Sequence, residues 1–141
     1  MTAAVIHHSA AGDGDEFTAP DAMITVKVGA RHTDGGYELF EVDAPRGPAA
    51  PPHREPWGKV FYLLHGRLLV QVGSEGFDLS PGASIAVPAG ELNTFTVLSP
   101  SARFLVVCVP GGMGAFFADL ESGIAAGAPL ESVAGRHGVS V

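Results

Sequence analysis

GPAAPPHREPWGKVFYLLHG, residues 47–66, opens with a proline-rich turn and ends as an apolar strand. Between the two, His53, Glu55, Trp57 and Lys59 fall at every second position. Successive side chains of an extended chain point to opposite faces, so these four share a face if the segment is extended. A histidine, a carboxylate, an indole and an ammonium would then look into one space, with Phe61 and Leu63 continuing the same row.

On both sides of this stretch the chain reads as short strands separated by tight turns. Met23–Val28 is rich in β-branched residues, and the loop from Gly29 to Gly36 carries the turn signal Asp34-Gly35-Gly36. Tyr37–Val42 follows, and the two runs suggest a hairpin-like pair. Downstream, Arg67–Val72, Phe77–Leu79, Ser84–Val87, Thr94–Leu98 and Arg103–Val109 are strand-like runs. They are punctuated by Gly73–Gly76, Ser80-Pro81-Gly82 and Pro88-Ala89-Gly90. About eight short strands at regular spacing predict an all-β sandwich or barrel.

After Pro110-Gly111-Gly112 the pattern changes. Apolar residues at 116, 117 and 120 have the spacing of one helical face, and Met113, Phe116 and Phe117 are expected to serve as packing. A second helix is expected from Pro129, with apolar positions 130, 133 and 134 and an end near Gly138. The chain thus divides into an N-terminal arm or edge strand over 1–20, a β domain over 21–112 and a helical tail over 113–141.

At 141 residues the chain suits one domain with a single core. Eight basic residues stand against 15 acidic ones, a net charge of -7, and they do not cluster, so nucleic acid is not an expected partner. The one cysteine, Cys108, lies in an apolar run and reads as a core residue. The N-terminal stretch MTAAVIHHSAAGDGDEF has no basic region and only a short apolar segment, and no apolar run approaches the ~18 residues of a membrane span. A cytoplasmic protein with no membrane partner is the expectation. His7 and His8 read as part of a solvated tail, and Arg31, His32 and His65 as exposed loop or turn residues. Tyr37, Gln71 and Cys108 are further candidates to face inward, although sequence does not fix their register.

Two segments resemble the paired motifs of the cupin superfamily. Gly47, His53, Glu55, Lys59 and Gly66 stand where the first motif has Gly, His-x-His, Glu and Gly, and Gly82, Pro88, Gly90, Asn93 and Val97 stand where the second has Gly, Pro-x-Gly, His and Asn. PPHREPW, FYLLHG and the C-terminal Arg136-His137-Gly138-Val139 are similar to small single-cupin proteins of the bacterial quercetin dioxygenase type. The resemblance implies a double-stranded β-helix, or jelly-roll, barrel with short C-terminal helices, and a homodimer. It also implies a divalent metal held by three histidines and a glutamate. Of those four, this chain keeps His53 alone: Glu55 replaces the second histidine, Lys59 the glutamate and Asn93 the last histidine. An ammonium repels a divalent cation, and an amide is a weak ligand for borderline metals.

The expected chemistry is therefore independent of metal or other cofactor. Lys59 can hydrogen-bond a substrate carbonyl, and Glu55 or His53 can move a proton. Asn93 is expected to orient the ligand, while Trp57, Phe61, Leu63 and Phe95 form an apolar wall for a flat organic molecule. Isomerisation, cyclisation, dehydration or pericyclic closure fits such a site. Three alternatives stay open: a metal-dependent dioxygenase with unusual ligands, a cupin that binds a small molecule without catalysis, and a Glu55–Lys59 pair that merely plugs the metal position.

Overall fold

β-Branched and aromatic runs, each stopped by a glycine or proline turn, build nine strands in the computed structural model, which describes residues 5–140. Residues 1–4 and 141, the outer ends of the expected arm and tail, lie outside the described residues. The strands are β1 (Asp15–Ala19), β2 (Ala22–Val28), β3 (Glu38–Pro45), β4 (Gly58–His65), β5 (Leu68–Val72), β6 (Glu75–Leu79), β7 (Ser84–Val87), β8 (Asn93–Val97) and β9 (Ser101–Val109). Two helices follow, α1 (Met113–Ala125) and α2 (Leu130–Arg136). β1 lies within the stretch expected to be an arm or an edge strand, and it forms the edge of a sheet. A single 3-10 turn, Ala30–His32, sits inside the expected Gly29–Gly36 loop.

Six strands form one sheet in the order β1-β2-β3-β9-β4-β7, and three form a second in the order β6-β5-β8. All pairs are antiparallel, including the expected hairpin of β2 and β3. The arrangement is a jelly roll of two facing sheets, and it does not close into a continuous hydrogen-bonded barrel.

Alternation dictates what each strand contributes. In β4, Lys59, Phe61 and Leu63 are buried while Val60, Tyr62 and Leu64 are exposed. β3 buries Glu38, Phe40, Val42 and Ala44, and β9 buries Ala102, Phe104, Val106 and Cys108. Phe40, Phe61, Leu63, Leu68, Val70 and Phe104 are sealed from solvent between the sheets. Each such side chain stabilises the fold by about 1.5–3 kcal/mol relative to exposure. Tyr37 and Gln71, candidates for the interior, face solvent instead, because inward register falls on Glu38 and on Val70.

The helical tail folds back over one open end of the sandwich. α1 sets Phe116 and Leu120 inward and α2 sets Val133 inward, with Gly123 giving the room that Val133 needs. Asp119 of α1 accepts hydrogen bonds from His137 at 2.8 Å and lies 3.5 Å from Arg136, which holds the two helices together. Backbone bonds between Arg54 and Ser140 in both directions fasten the end of the tail to the loop before β4.

Candidate functional site

His53 and Glu55 precede β4, and the alternation expected over 53–59 is kept in burial: Glu55, Trp57 and Lys59 are buried and His53 half-buried, while Arg54 and Pro56 are exposed. Two backbone bonds between His53 and Asn93 tie this segment to β8 and so join the two sheets. Gly90 donates its backbone N–H to the Glu55 carbonyl at 2.8 Å, which locks the Pro88-Ala89-Gly90 turn against the same segment. The expected spacing brings all four side chains together, with His53, Trp57 and Lys59 each in contact with Glu55.

Glu55 is the centre. Its Oε1 accepts from Lys59 Nζ at 2.6 Å and from Asn93 Nδ2 at 3.2 Å, and it lies 3.2 Å from His53 Nε2. Its Oε2 accepts from the Trp57 indole N–H at 2.8 Å. Burial alone would raise this carboxyl. The hydrogen bond from His53, the charges of Lys59 and His53 and the bond from Lys59 outweigh it and hold the group at about 2. An anion that weakly basic, with both oxygens occupied, is a poor proton carrier at neutral pH. In this geometry Glu55 is the shared acceptor that orients Lys59, His53, Asn93 and Trp57.

Lys59 is 9% exposed, and Glu55 is its one hydrogen-bond partner among the described residues. An ammonium carries three N–H groups, so two remain for a ligand. His53 has its Nδ1 3.3 Å from the Pro51 carbonyl, so both ring nitrogens face oxygen acceptors. Asn93 donates its amide to the carbonyls of His53 and Glu91 as well as to Glu55, and its Oδ1 is buried without a partner among the described residues. Leaving such an acceptor unpaired costs about 1–3 kcal/mol.

These groups form the polar end of a cavity of about 350 Å³. Its lining includes Asp21, His53, Glu55 and Lys59. Phe61, Phe95 and Phe104 form an aromatic cluster on one wall, with ring centroids 5.3–6.3 Å apart. Met113, Phe116 and Phe117 supply the opposite wall, so residues expected to act as packing also shape the cavity. Of the expected ligand-contacting residues, Phe61 and Phe95 line this space. Trp57, Leu63 and Asn93 stand behind it: Trp57 packs on Phe116, Leu63 is sealed in the core and Asn93 holds the Glu55 carboxylate.

Asp21 was not anticipated. It occupies the two-residue turn Pro20-Asp21 between β1 and β2, since Ala19 pairs with Ala22. The Ala-Pro-Asp-Ala sequence signals a turn and nothing in it signals an inward carboxyl. Burial raises this carboxyl above the ordinary value, against a hydrogen bond from its own backbone and the charges of His53 and Lys59.

The donor set does not fit a divalent metal. The Lys59 ammonium lies against the Glu55 oxygen that would ligate, and no group of three or more His, Cys, Asp or Glu suited to a metal occurs among the described residues.

Comparison with known proteins settles the scaffold. A profile of the cupin domain matches residues 39–109, just over half of the chain. The chain belongs to the cupin family. Quercetin 2,3-dioxygenase of Bacillus subtilis is 26% identical over 110 residues, 77% of this cupin and 33% of that enzyme. The cupin thus spans about a third of the length of that curated relative. Among solved structures, KdgF from Halomonas superposes with a TM-score of 0.66 at 18% identity, covering 75% of this chain and 94% of that one. The polyketide cyclase RemF from Streptomyces resistomycificus gives 0.64 at 20%, covering 74% and 80%. At these identities the structural likeness carries the fold alone. No helix among the described residues is long and apolar enough to cross a membrane.

Proposed function

We propose that this cupin is a metal-independent enzyme acting on a flat, largely apolar organic molecule that carries a carbonyl or an acidic oxygen. One observation carries the reading: a buried ammonium, fixed at one N–H by Glu55, faces an aromatic cavity with two N–H groups unspent. Such a donor is oriented before the ligand arrives, and in a low-dielectric cavity it acts most strongly on an oxygen that gains charge during reaction. Isomerisation, cyclisation and elimination all develop such charge. That the structural relatives include a polyketide cyclase and a DMSP lyase agrees with chemistry of this kind on the fold. His53, hydrogen-bonded to Glu55 and partly open to solvent, is the group placed to exchange protons with water. Asn93 and Trp57 serve it indirectly by holding the Glu55 carboxylate.

Calorimetric titration with 2-naphthoate, a flat aromatic anion, tests the reading. Binding is expected to survive chelator treatment unchanged and to weaken at least tenfold in Lys59→Ala. Near-stoichiometric metal that departs in His53→Ala, together with quercetin consumption that a chelator abolishes, would instead establish the dioxygenase alternative.

A further inference from the structure

At the polar end of the cavity the groups already described are engaged with one another or with backbone oxygens. Lys59 offers N–H groups, His53 has both ring nitrogens set against oxygens, and Glu55 has spent both oxygens on four donors. Moving a hydrogen from carbon requires an acceptor as well as an oxyanion donor. Asp21 is the other carboxyl that lines the cavity. It also lines a smaller adjoining cavity of about 230 Å³ toward Arg46, which shares Pro20, Pro48 and Phe95 with the larger one, so it stands at the neck between them.

We propose that Asp21 is the proton acceptor of this site, removing an α-hydrogen from a ketone whose carbonyl oxygen is hydrogen-bonded by Lys59. The assignment rests on the proposed function above and names its substrate class: aromatic or polycyclic ketones with an acidic α-C–H. In the step, the α-C–H bond breaks and an O–H bond forms on Asp21. The released electron pair becomes the carbon–carbon π bond of an enolate, and the carbonyl pair moves onto the oxygen that Lys59 holds. Return of the proton to a different carbon gives an isomer. Attack of the enolate carbon on a second carbonyl of the same molecule closes a ring, and the alkoxide so formed takes the proton back from Asp21. Neither route consumes an oxidant.

The surroundings suit a base of this kind. Half-buried in a turn beside apolar walls, the carboxyl is made more basic than an exposed aspartate, as burial disfavours its charge. The charged groups around it are His53 and Lys59 across the cavity and Arg46 in the adjoining one; Glu121 of α1 binds the backbone of Thr18 in the preceding strand. The charge of Lys59 acts against that burial and favours the carboxylate form. Turn placement also means that a side-chain change at Asp21 removes no sheet hydrogen bond.

Hydrogen–deuterium exchange at the α-carbons of 2-tetralone in D2O, followed by mass spectrometry, reads this step directly. The wild-type protein is expected to accelerate exchange over buffer. Asp21→Asn should lower that acceleration at least a hundredfold while 2-naphthol, a mimic of the enolate, binds within threefold of wild type; Asp21→Glu should recover part of the rate. Lys59→Ala should lose both exchange and at least tenfold in 2-naphthol affinity. Wild-type exchange in Asp21→Asn, with exchange lost in Lys59→Ala, overturns the assignment of Asp21 and leaves the proposed function standing. Tetralone that binds but exchanges no faster than in buffer also overturns the assignment. Failure of both 2-naphthol and tetralone to bind overturns the functional reading itself.

Discussion

Two glutamates are buried to nearly the same degree, Glu38 at 2% exposure and Glu55 at 5%, and they do opposite things. Glu38 stands at the start of β3 beneath α1. Its Oε1 accepts the backbone N–H of Gly112 at 2.7 Å and of Met113 at 2.9 Å, while Oε2 takes that of Gly114 at 3.2 Å. It neutralises the positive end of the helix and supplies the cap that Gly112 has no side chain to provide. Gly114 permits the approach, because a Cβ there would lie 2.8 Å from Glu38 Oε2. Glu55 instead accepts from side chains, and two of these, Lys59 and His53, also line the cavity. A buried carboxylate whose donors are backbone fixes an element in place. One whose donors are themselves exposed to a cavity fixes reagents.

The sharpest way to break this contrast is to remove the cation from the second carboxylate. Lys59→Met leaves Glu55 a buried anion and is expected to cost roughly 3–5 kcal/mol, the range for breaking a buried pair. Glu55→Gln, which strands the ammonium, should cost a similar amount. In the double variant the losses should fall short of additive by about 1–3 kcal/mol in urea titrations, since neither charge is then left alone. Stability recovered in the double variant together with 2-naphthoate binding would make the pair a plug for the old metal position. Stability recovered without binding separates the reagent role from the structural one.

At Glu38 no such rescue is available. Glu38→Ala leaves the first N–H groups of α1 unpaired in the interior and should cost about 3 kcal/mol, from hydrogen bonds to a charged group and the lost helix-terminus interaction. The wall carrying Phe116 and Phe117 loosens with it, so ligand affinity should fall in proportion to stability rather than beyond it. A larger fall in affinity, with little change in the urea midpoint, would place Glu38 among the ligand-binding groups.

The sequence made the scaffold and the Glu55 centre legible but not the helix anchor or Asp21, and the reason is physical. Motif spacing marked His53, Glu55 and Lys59 because a two-residue period and fixed turns constrain where side chains go even when the local chain is irregular. Glu38 sits in the inward row of β3 with Phe40, Val42 and Ala44, and a lone acid in an apolar row was the available sign. Its partner, the start of α1, lies 74 residues further along the chain. Asp21 gave less still, since a turn aspartate ordinarily faces water, and the residues that surround it, Arg46, Pro48 and Phe95 among them, are distant in sequence. Trp57 shares the every-second-residue spacing and joins the cluster through its N–H to Glu55, while its ring packs on Phe116. For Cys108 the core reading holds: burial pushes its thiol well up, and it packs on Met113. It should stay unreactive to Ellman's reagent until the protein unfolds.

Acid sharpens the same comparison at a smaller scale. Glu55 has its carboxyl depressed from 4.5 to about 2 by folding, so its contribution to stability is complete above pH 4.5 and is lost as pH falls toward 2. At ~1.4 kcal/mol per tenfold change in proton affinity, the loss is at most roughly 3–4 kcal/mol. Glu55→Gln should therefore be less stable than the wild type at neutral pH yet show a flatter decline between pH 4.5 and 2. An equally steep decline in both proteins would assign the acid sensitivity to other carboxylates.

Trp57→Phe gives the smallest effect and separates donors that face the cavity from those that do not. The indole N–H supplies the bond to Glu55 Oε2, which has no other donor among the described residues, while most of the ring's contact with Phe116 survives the change. The expected cost is about 1–2 kcal/mol. Losing one of four stabilising donors also makes Glu55 easier to protonate, so the acid midpoint should move upward. Because Trp57 stands behind the cavity wall, 2-naphthoate affinity at neutral pH should change less than threefold. A tenfold loss of affinity without movement of the acid midpoint would put the indole in contact with ligand. The division between the groups that hold Glu55 and the groups that meet the substrate would then have to be redrawn.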